Sequence, residues 1–372
     1  MSLEPNSLMK SSVLEIPATH PLRRFAASYK AAPFPRASPA GHLLSRKLYM
    51  RSMQKVVTRC TAALVVWTLA LPAWPQPTAG QEQTIKTQVA LVNLFVTVRD
   101  KNKKIITDLK QEDFKVAEDN QDQKIAFFSK EVALPITLGL LLDTSASEQF
   151  MLGAIQEAGS SFLSRVLHKG DEALVMSFDS DVDLLSDFTD DRAQLDRAVH
   201  RARINSPDAG SIGGNPGPIG SRQIVGTALY DAIFLACSEK LDTEAGRKAI
   251  VIVTDADDHG SKVRIEEAIE AAQRTNTVIH IILVADSRFG GANTSAAKKL
   301  SEETGGRTLS ANSEKKLMQA FDEISEELRT QYTIGYYPTN AERDGKFRKI
   351  KVDTANHDQK VLARKGYYAP KA

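Results

Sequence analysis

The chain has 372 residues, 42% hydrophobic and 25% charged, with a formal net charge of +2 at pH 7. That length and mixture suit a globular chain of about two domains and exclude a disordered or fibrous one. The first 80 residues hold ten Lys+Arg against two Asp+Glu, leaving 38 basic and 44 acidic residues, or −6, in the remainder; without a concentrated basic face, no nucleic-acid partner is expected.

Residues 1–52 are basic, carry Pro-rich pieces such as Ala32-Pro33-Phe34-Pro35, and show no sustained period. Arg51 to Arg59 is a basic stretch, Cys60 to Ala73 an apolar one, and small residues stand at Ala73 and Ala79. That order is the pattern of a secretory signal peptide, so 53–80 reads as signal peptide and linker. The apolar run is short for a membrane span; an uncleaved anchor, and with it membrane attachment, is the alternative. Signal peptides begin close to their basic region, so translation is expected to start at Met50 or Met53, with 1–52 an over-extended leader; a transit peptide is the alternative. Export to the periplasm, cell envelope or exterior follows. Cleavage removes Cys60 and leaves Cys237 as the single cysteine, which excludes an intrachain disulfide and a Cys-rich zinc site. Cys237 sits on a helical apolar face and reads as a buried structural thiol.

Residues 84–133 read as β. Val89 to Val98 is rich in β-branched residues, Ile105 to Leu109 and Phe114 to Glu118 follow, and Ile125 to Phe128 closes the set, with polar turns at 100–104 and 119–122. That is too little chain for a generous core. Residues 331–370 offer further strands at Gln331–Tyr337, Phe347–Asp353 and Val361–Arg364. The two ends are expected to join as one small β module, two separate β extensions being the alternative.

Between them, residues 134–330 alternate strands and helices. Ile136 to Leu142 is continuously apolar, the pattern of a strand buried on both faces. Helices are expected over Glu148–Leu167, Asp191–Arg203, Thr227–Leu241, Arg264–Arg274, Ala296–Glu303 and Glu314–Arg329. Strands are expected at Ala173–Phe178, Val182–Leu185, Lys248–Thr254, Val278–Val284 and Gly306–Leu309. This order predicts an α/β fold with a doubly wound, mostly parallel sheet and a flanking small β module. The Gly- and Pro-rich stretch Ile204–Gln223 lacks the Lys-Ser/Thr ending of a phosphate-binding loop. It reads as a connector, or as a loop that shapes access to the neighbouring strand ends.

The chemistry-bearing residues cluster at those strand ends. Asp143 ends the first buried strand, with Ser145 and Ser147 at alternate positions after it. Thr227 precedes a helix, and Asp255 ends Ile250-Val251-Ile252-Val253-Thr254. In open α/β sheets ligands bind at this edge, and all five side chains offer hard oxygen donors of the kind Mg²⁺, Mn²⁺ or Ca²⁺ prefer. Read singly, Ser145, Ser147 and Thr227 serve equally as helix caps, and Asp255 as a turn acid. Glu148, Asp257 and Asp258 read as solvated loop acids, able to tune the choice of ion.

D-x-S-x-S, an isolated Thr before a helix, and T-D after an apolar strand, in that order, resemble the von Willebrand factor A domain and its metal-ion-dependent adhesion site over about 134–330. Phe95 to Asp100, Asp113-Phe114 and Phe127-Phe128-Ser129 add a looser resemblance to exported bacterial proteins related to that domain, frequent in acidobacteria. The resemblance implies that Ser145, Ser147 and Thr227 ligate a divalent cation directly, most simply Mg²⁺, while Asp143 and Asp255 act partly through water. It implies an open coordination position taken by an acidic side chain of a protein partner, and no catalysis. Family members often carry Gly where this chain has Ala256. Two other functions stand beside it. One is a phosphatase of the haloacid-dehalogenase type, whose nucleophile is also a strand-terminal Asp; it wants a second Asp where Ser145 stands. The other is a metal-independent structural role in a cell envelope.

Overall fold

Strands form where the sequence is β-branched, and their pairing brings the two ends of the chain together. The computed structural model describes residues 91–130, 134–204, 226–284 and 291–371. The leader, the signal segment and nearly all of 204–223 lie outside them. The described residues belong to one compact unit, Thr84–Ala372. The chain enters through β1 (Val92–Arg99), β2 (Phe114–Glu118), β3 (Gln121–Gln123) and β4 (Ile125–Ser129). The expected strand at Ile105–Leu109 does not form. Ile105 makes an isolated bridge to Arg99. Beyond it the Leu109 N–H donates to the Tyr332 hydroxyl at 3.0 Å, which donates in turn to the Ile106 carbonyl at 2.9 Å. Buried backbone groups must find partners, and here a tyrosine supplies what a neighbouring strand would.

The central region runs β5 (Ile136–Asp143), α1 (Leu152–Val166), β6 (Glu172–Phe178), β7 (Val182–Thr189), α2 (Arg192–Val199), α3 (Leu229–Leu235), β8 (Arg247–Thr254), α4 (Ile265–Arg274), β9 (Thr277–Val284), α5 (Thr294–Thr304), β10 (Thr308–Ala311) and α6 (Glu314–Arg329). The expected helix from Thr227 begins two residues later and continues past Leu235 as a π-helical segment, Ala236–Leu241. Six strands form one sheet in the order β10-β9-β8-β5-β6-β7. All neighbours are parallel except β6 and β7. This is the doubly wound, mostly parallel sheet expected from the alternation.

Side chains alternate across a strand, and β5 shows it. Leu138, Leu140 and Leu142 join Phe162 and Phe321 on one face, against helices α1, α2 and α6. Leu141 joins Ile250, Ile252, Ile233 and Leu300 on the other, against α3, α4 and α5. All eight residues of β5 are buried, as a central parallel strand requires. Cys237 lies in the second core, where burial pushes its thiol up to about 12; it is no nucleophile at neutral pH.

The chain returns through β11 (Tyr332–Tyr336), β12 (Phe347–Thr354), β13 (Lys360–Leu362) and β14 (Gly366–Tyr368). They interleave with the first four strands as two four-stranded sheets, β13-β1-β11-β4 and β14-β12-β2-β3. Between the sheets lie Leu94, Val96, Phe114, Val116, Tyr332, Ile334, Tyr336 and Ile350. Phe114 and Tyr332 meet edge to face at 5.2 Å between centroids. Neither end holds enough apolar surface to close such a core alone.

A buried ion cluster ties this sandwich to the α/β region. Arg99 of β1 donates to Glu327 of α6 at 3.0 Å, and Arg307 donates to the same oxygen at 2.6 Å. Gly305, with φ 92°, lets the two parts touch: a Cβ there would stand 2.5 Å from the Arg364 nitrogen. Among the described residues no helix is long and apolar enough to cross a membrane.

Candidate metal centre

Strand order places the site. β5 is followed by β6 on one side, while β8, reached later, pairs on the other. Where successive connections diverge in this way, a crevice opens at the C-terminal strand ends. Asp143 ends β5 and Asp255 follows β8, so both acids stand at that crevice.

Asp143 is fully buried. Its Oδ1 accepts the Ser145 N–H at 2.9 Å and its Oδ2 accepts the Thr254 hydroxyl at 2.6 Å. Thr254 is itself fixed by the Ala256 N–H, 2.9 Å from its Oγ1. Burial pushes the Asp143 carboxyl up to about 7; the bonds from Ser145 and Thr254 pull the other way, and nearby Asp255 adds to the rise. Asp255 is buried as well, its Oδ1 accepting the Asp257 N–H at 3.0 Å.

The three hydroxyls are not helix caps. Ser145 precedes a 3₁₀ turn, Ala146–Glu148, yet its side chain makes no capping bond; α1 begins without a side-chain cap, and the first N–H groups of α3, those of Tyr230 and Asp231, go to Ser261 Oγ and Asp258 and not to Thr227. Ser145 Oγ instead lies 3.0 Å from Ser147 Oγ. Thr227 is held by backbone: its carbonyl accepts from His259 and Gly260 at 3.1 and 3.2 Å. Gly226 makes this approach possible, since a Cβ there would lie 3.3 Å from the Gly260 Cα. The next residue, Ala228, donates to the Asp179 carbonyl at 2.6 Å, beside Phe178, whose carbonyl accepts the Thr144 N–H at 2.8 Å. Thr227 therefore belongs to the same rim as the Asp143 loop, joined to it through the end of β6.

Glu148 corrects the expectation of a solvated loop acid. It is 2% exposed, and a carboxylate oxygen from each of Asp143, Glu148 and Asp255 fits within 4.8 Å of the others. Residues i and i+3 of a 3₁₀ turn eclipse, so the turn stacks Glu148 on Ser145, and the Glu148 N–H bonds the Ser145 carbonyl at 3.1 Å. Asp257 and Asp258 are only partly buried, and His259 is exposed with its ring 2.9 Å from Asp257. Ala256 takes the left-handed φ of 60°, a conformation that costs a residue with a side chain about 1–2 kcal/mol. Its methyl is fully buried in the second core, which returns about 0.8 kcal/mol. Burial offsets only part of the strain, so alanine is tolerated where glycine would fit more freely.

The donor set is three carboxylates and two serine hydroxyls, with no sulfur or imidazole among them. Such hard oxygens suit Mg²⁺, Mn²⁺ or Ca²⁺ over softer ions. Like charges this close cannot all ionise without a compensating cation, so the residues present fit a divalent ion.

Residues 138–260 match the family of the von Willebrand factor type A domain, a span that holds Asp143, Ser145, Ser147, Glu148, Thr227 and Asp255. Comparison with curated proteins returns no match. Among solved structures, the chain is similar to conserved hypothetical protein BatB from Bacteroides thetaiotaomicron, at 17% identity and TM-score 0.41 over 52% of this chain and 98% of that one. A von Willebrand factor type A protein from Catenulispora acidiphila aligns at 11% identity and TM-score 0.44, over 77% and 75% of the two chains. Proximal thread matrix protein 1 from the mussel byssus, with a zinc-occupied metal-ion-dependent adhesion site, aligns at 17% identity and TM-score 0.42, over 56% and 48%.

Proposed function

We propose that this is an exported bacterial protein that captures a protein partner through a divalent cation held by Asp143, Ser145, Ser147, Thr227 and Asp255. The observation that carries the reading is that carboxylate oxygens of Asp143, Glu148 and Asp255 fit within 4.8 Å of one another, next to the loop after β5 whose serine pair caps no helix. Hydroxyls are neutral ligands, so two carboxylates balance a 2+ ion and leave it able to take one more hard anionic oxygen. An acidic side chain of the partner fits that position. Mg²⁺ is the proposed ion, with Mn²⁺ and Ca²⁺ served by the same donors. Glu148 adds a third carboxylate and shifts the preference toward Ca²⁺, which accepts more oxygen ligands than Mg²⁺. The function is binding, not turnover: residue 145 is Ser where a phosphatase of the haloacid-dehalogenase type needs its second Asp, and the buried Cys237 thiol is inert.

The test is affinity capture from native envelope extract, in Mg²⁺ and in chelator, with wild-type protein and the Asp255→Ala variant. A partner retained by the wild type in Mg²⁺ and released by chelator is expected, with capture by Asp255→Ala falling at least tenfold, or about 1.4 kcal/mol. Retention that ignores both chelator and substitution would favour the metal-independent envelope role.

A further inference from the structure

The β-sandwich carries a second feature that the metal reading leaves unused. Tyr337, Pro338, Tyr367, Tyr368 and Pro370 wall a cleft of about 640 Å³, within the size range of small-ligand sites. Arg364 lines the same cleft. Its Nη2 donates to the Asn93 carbonyl at 2.9 Å, and its guanidinium lies 5.5 Å from the Tyr367 ring centroid. Asn93 and Tyr367 both face the cleft, so the head group does too.

Among the described residues Arg364 meets no counter-ion. Arg99, Arg329 and Arg348 each meet an acid, Glu327, Asp171 and Asp344 respectively. Among the described residues no carboxylate acts on Arg364, and burial pushes its guanidinium down to about 10. Its Nε is shut away from solvent with no acceptor. A half-buried charge without a counter-ion is costly, and a cleft at its side allows a ligand to relieve that cost. Arg247 makes no direct ion pair among the described residues either, but Asp171 acts on it and the void beside it is only about 10 Å³. Glu342, the one acid among the described residues on the wall of the larger cleft, is exposed. Tyr337, 57% exposed, stands as an apolar surface with nothing packed over most of it.

We propose that this cleft binds a small organic carboxylate with an aromatic or branched apolar body, its carboxylate on Arg364 and its body against Tyr337 and Tyr368. The unmatched guanidinium selects against a neutral ligand, because only an anion compensates it. The tyrosine and proline walls select against a bare inorganic ion, which would bury none of their apolar area. The site owes nothing to the cation at the strand ends, so it operates in chelator.

The experiment titrates N-acetyl-phenylalanine into the full chain in chelator, by calorimetry or saturation-transfer NMR. N-acetyl-phenylalaninamide is the neutral control and phenyl phosphate the alternative anion. Saturable binding of the carboxylate is expected, with the amide at least tenfold weaker and phenyl phosphate weaker than the carboxylate. Arg364→Gln should lower carboxylate affinity at least tenfold. Tyr337→Ala, at an exposed position that cannot unfold the sandwich, should lower it severalfold. Absence of saturation, equal affinity for the amide, tighter binding of phenyl phosphate, or indifference to Tyr337→Ala would each overturn the assignment, even if Arg364→Gln fails to fold.

Discussion

Asp143→Asn is expected to stabilise the cation-free protein at pH 8 by about 2 kcal/mol, and to abolish any further gain from Mg²⁺. The reason is linkage. The Asp143 carboxyl moves from 3.8 to about 7 on folding, chiefly through burial. A raised acid binds its proton more tightly in the folded state, so its contribution is complete below pH 3.8 and is lost as pH rises through 7. Over that window the loss is roughly 4 kcal/mol. Asparagine removes the charge and keeps an acceptor for the Ser145 N–H. It gives up the Thr254 hydroxyl's carboxylate acceptor, at about 1–2 kcal/mol, which leaves the net gain stated. Urea unfolding in chelator from pH 4 to pH 8 checks this. His280 and the other titrating groups are common to both proteins, so the stability of Asp143→Asn relative to the wild type should grow as pH rises from 4 to 8, and Mg²⁺ should restore only the wild type. A variant less stable than the wild type in chelator at pH 8 would contradict the account of the buried acid.

The second large effect lies at the opposite end of the α/β region. Glu327→Gln is expected to destabilise the protein by about 3–5 kcal/mol, the usual cost of breaking a buried ion pair from one side. Glu327 is fully buried between Arg99 and Arg307. Burial alone would raise its carboxyl, but neighbouring positive charge outweighs that and holds it low. The charge comes from the two arginines. His280 also faces Glu327, yet its own ring is fully buried and pushed down to about 4, so it is neutral at pH 7. Both groups are depressed on folding, so their contributions are present above the unfolded values and fade as pH falls, for His280 between about 6.5 and 4. The cation-loaded protein should therefore weaken on acidification. A double-mutant cycle with Arg99→Met separates the pair from the rest of the cluster. A coupling near zero between residues 99 and 327 would show that this contact does not join the sandwich to the last helix.

The fold was legible because its central strands carry redundant signals. Ile136–Leu142 and Ile250–Thr254 are continuously apolar, and only a strand covered on both faces tolerates that. The helices between them keep their period, and Glu314–Arg329 forms over the residues its pattern marks. The misses occur where a single tertiary contact decides. Ile105–Leu109 has strand composition but yields its backbone to the Tyr332 hydroxyl, more than two hundred residues away. The segment from Thr227 has a helical pattern, but backbone contacts with residues 259–260 hold Thr227 outside the helix. At the site, Asp143 and Asp255 stood out because an acid ending a buried strand has few structural uses. Glu148 did not, because nothing in its neighbours announces a 3₁₀ turn that faces it inward. Arg364 was invisible for a related reason: one arginine among several in a tail of short strands gives no sign that folding will leave it without an acid.

The most direct test of the central claim is anomalous diffraction from crystals of the protein soaked in Mn²⁺. The account predicts a single strong peak enclosed by Asp143, Ser145, Ser147, Thr227 and Asp255, absent from Asp143→Asn crystals. Density-free strand ends at saturating Mn²⁺, or a peak that persists in Asp143→Asn, would contradict it.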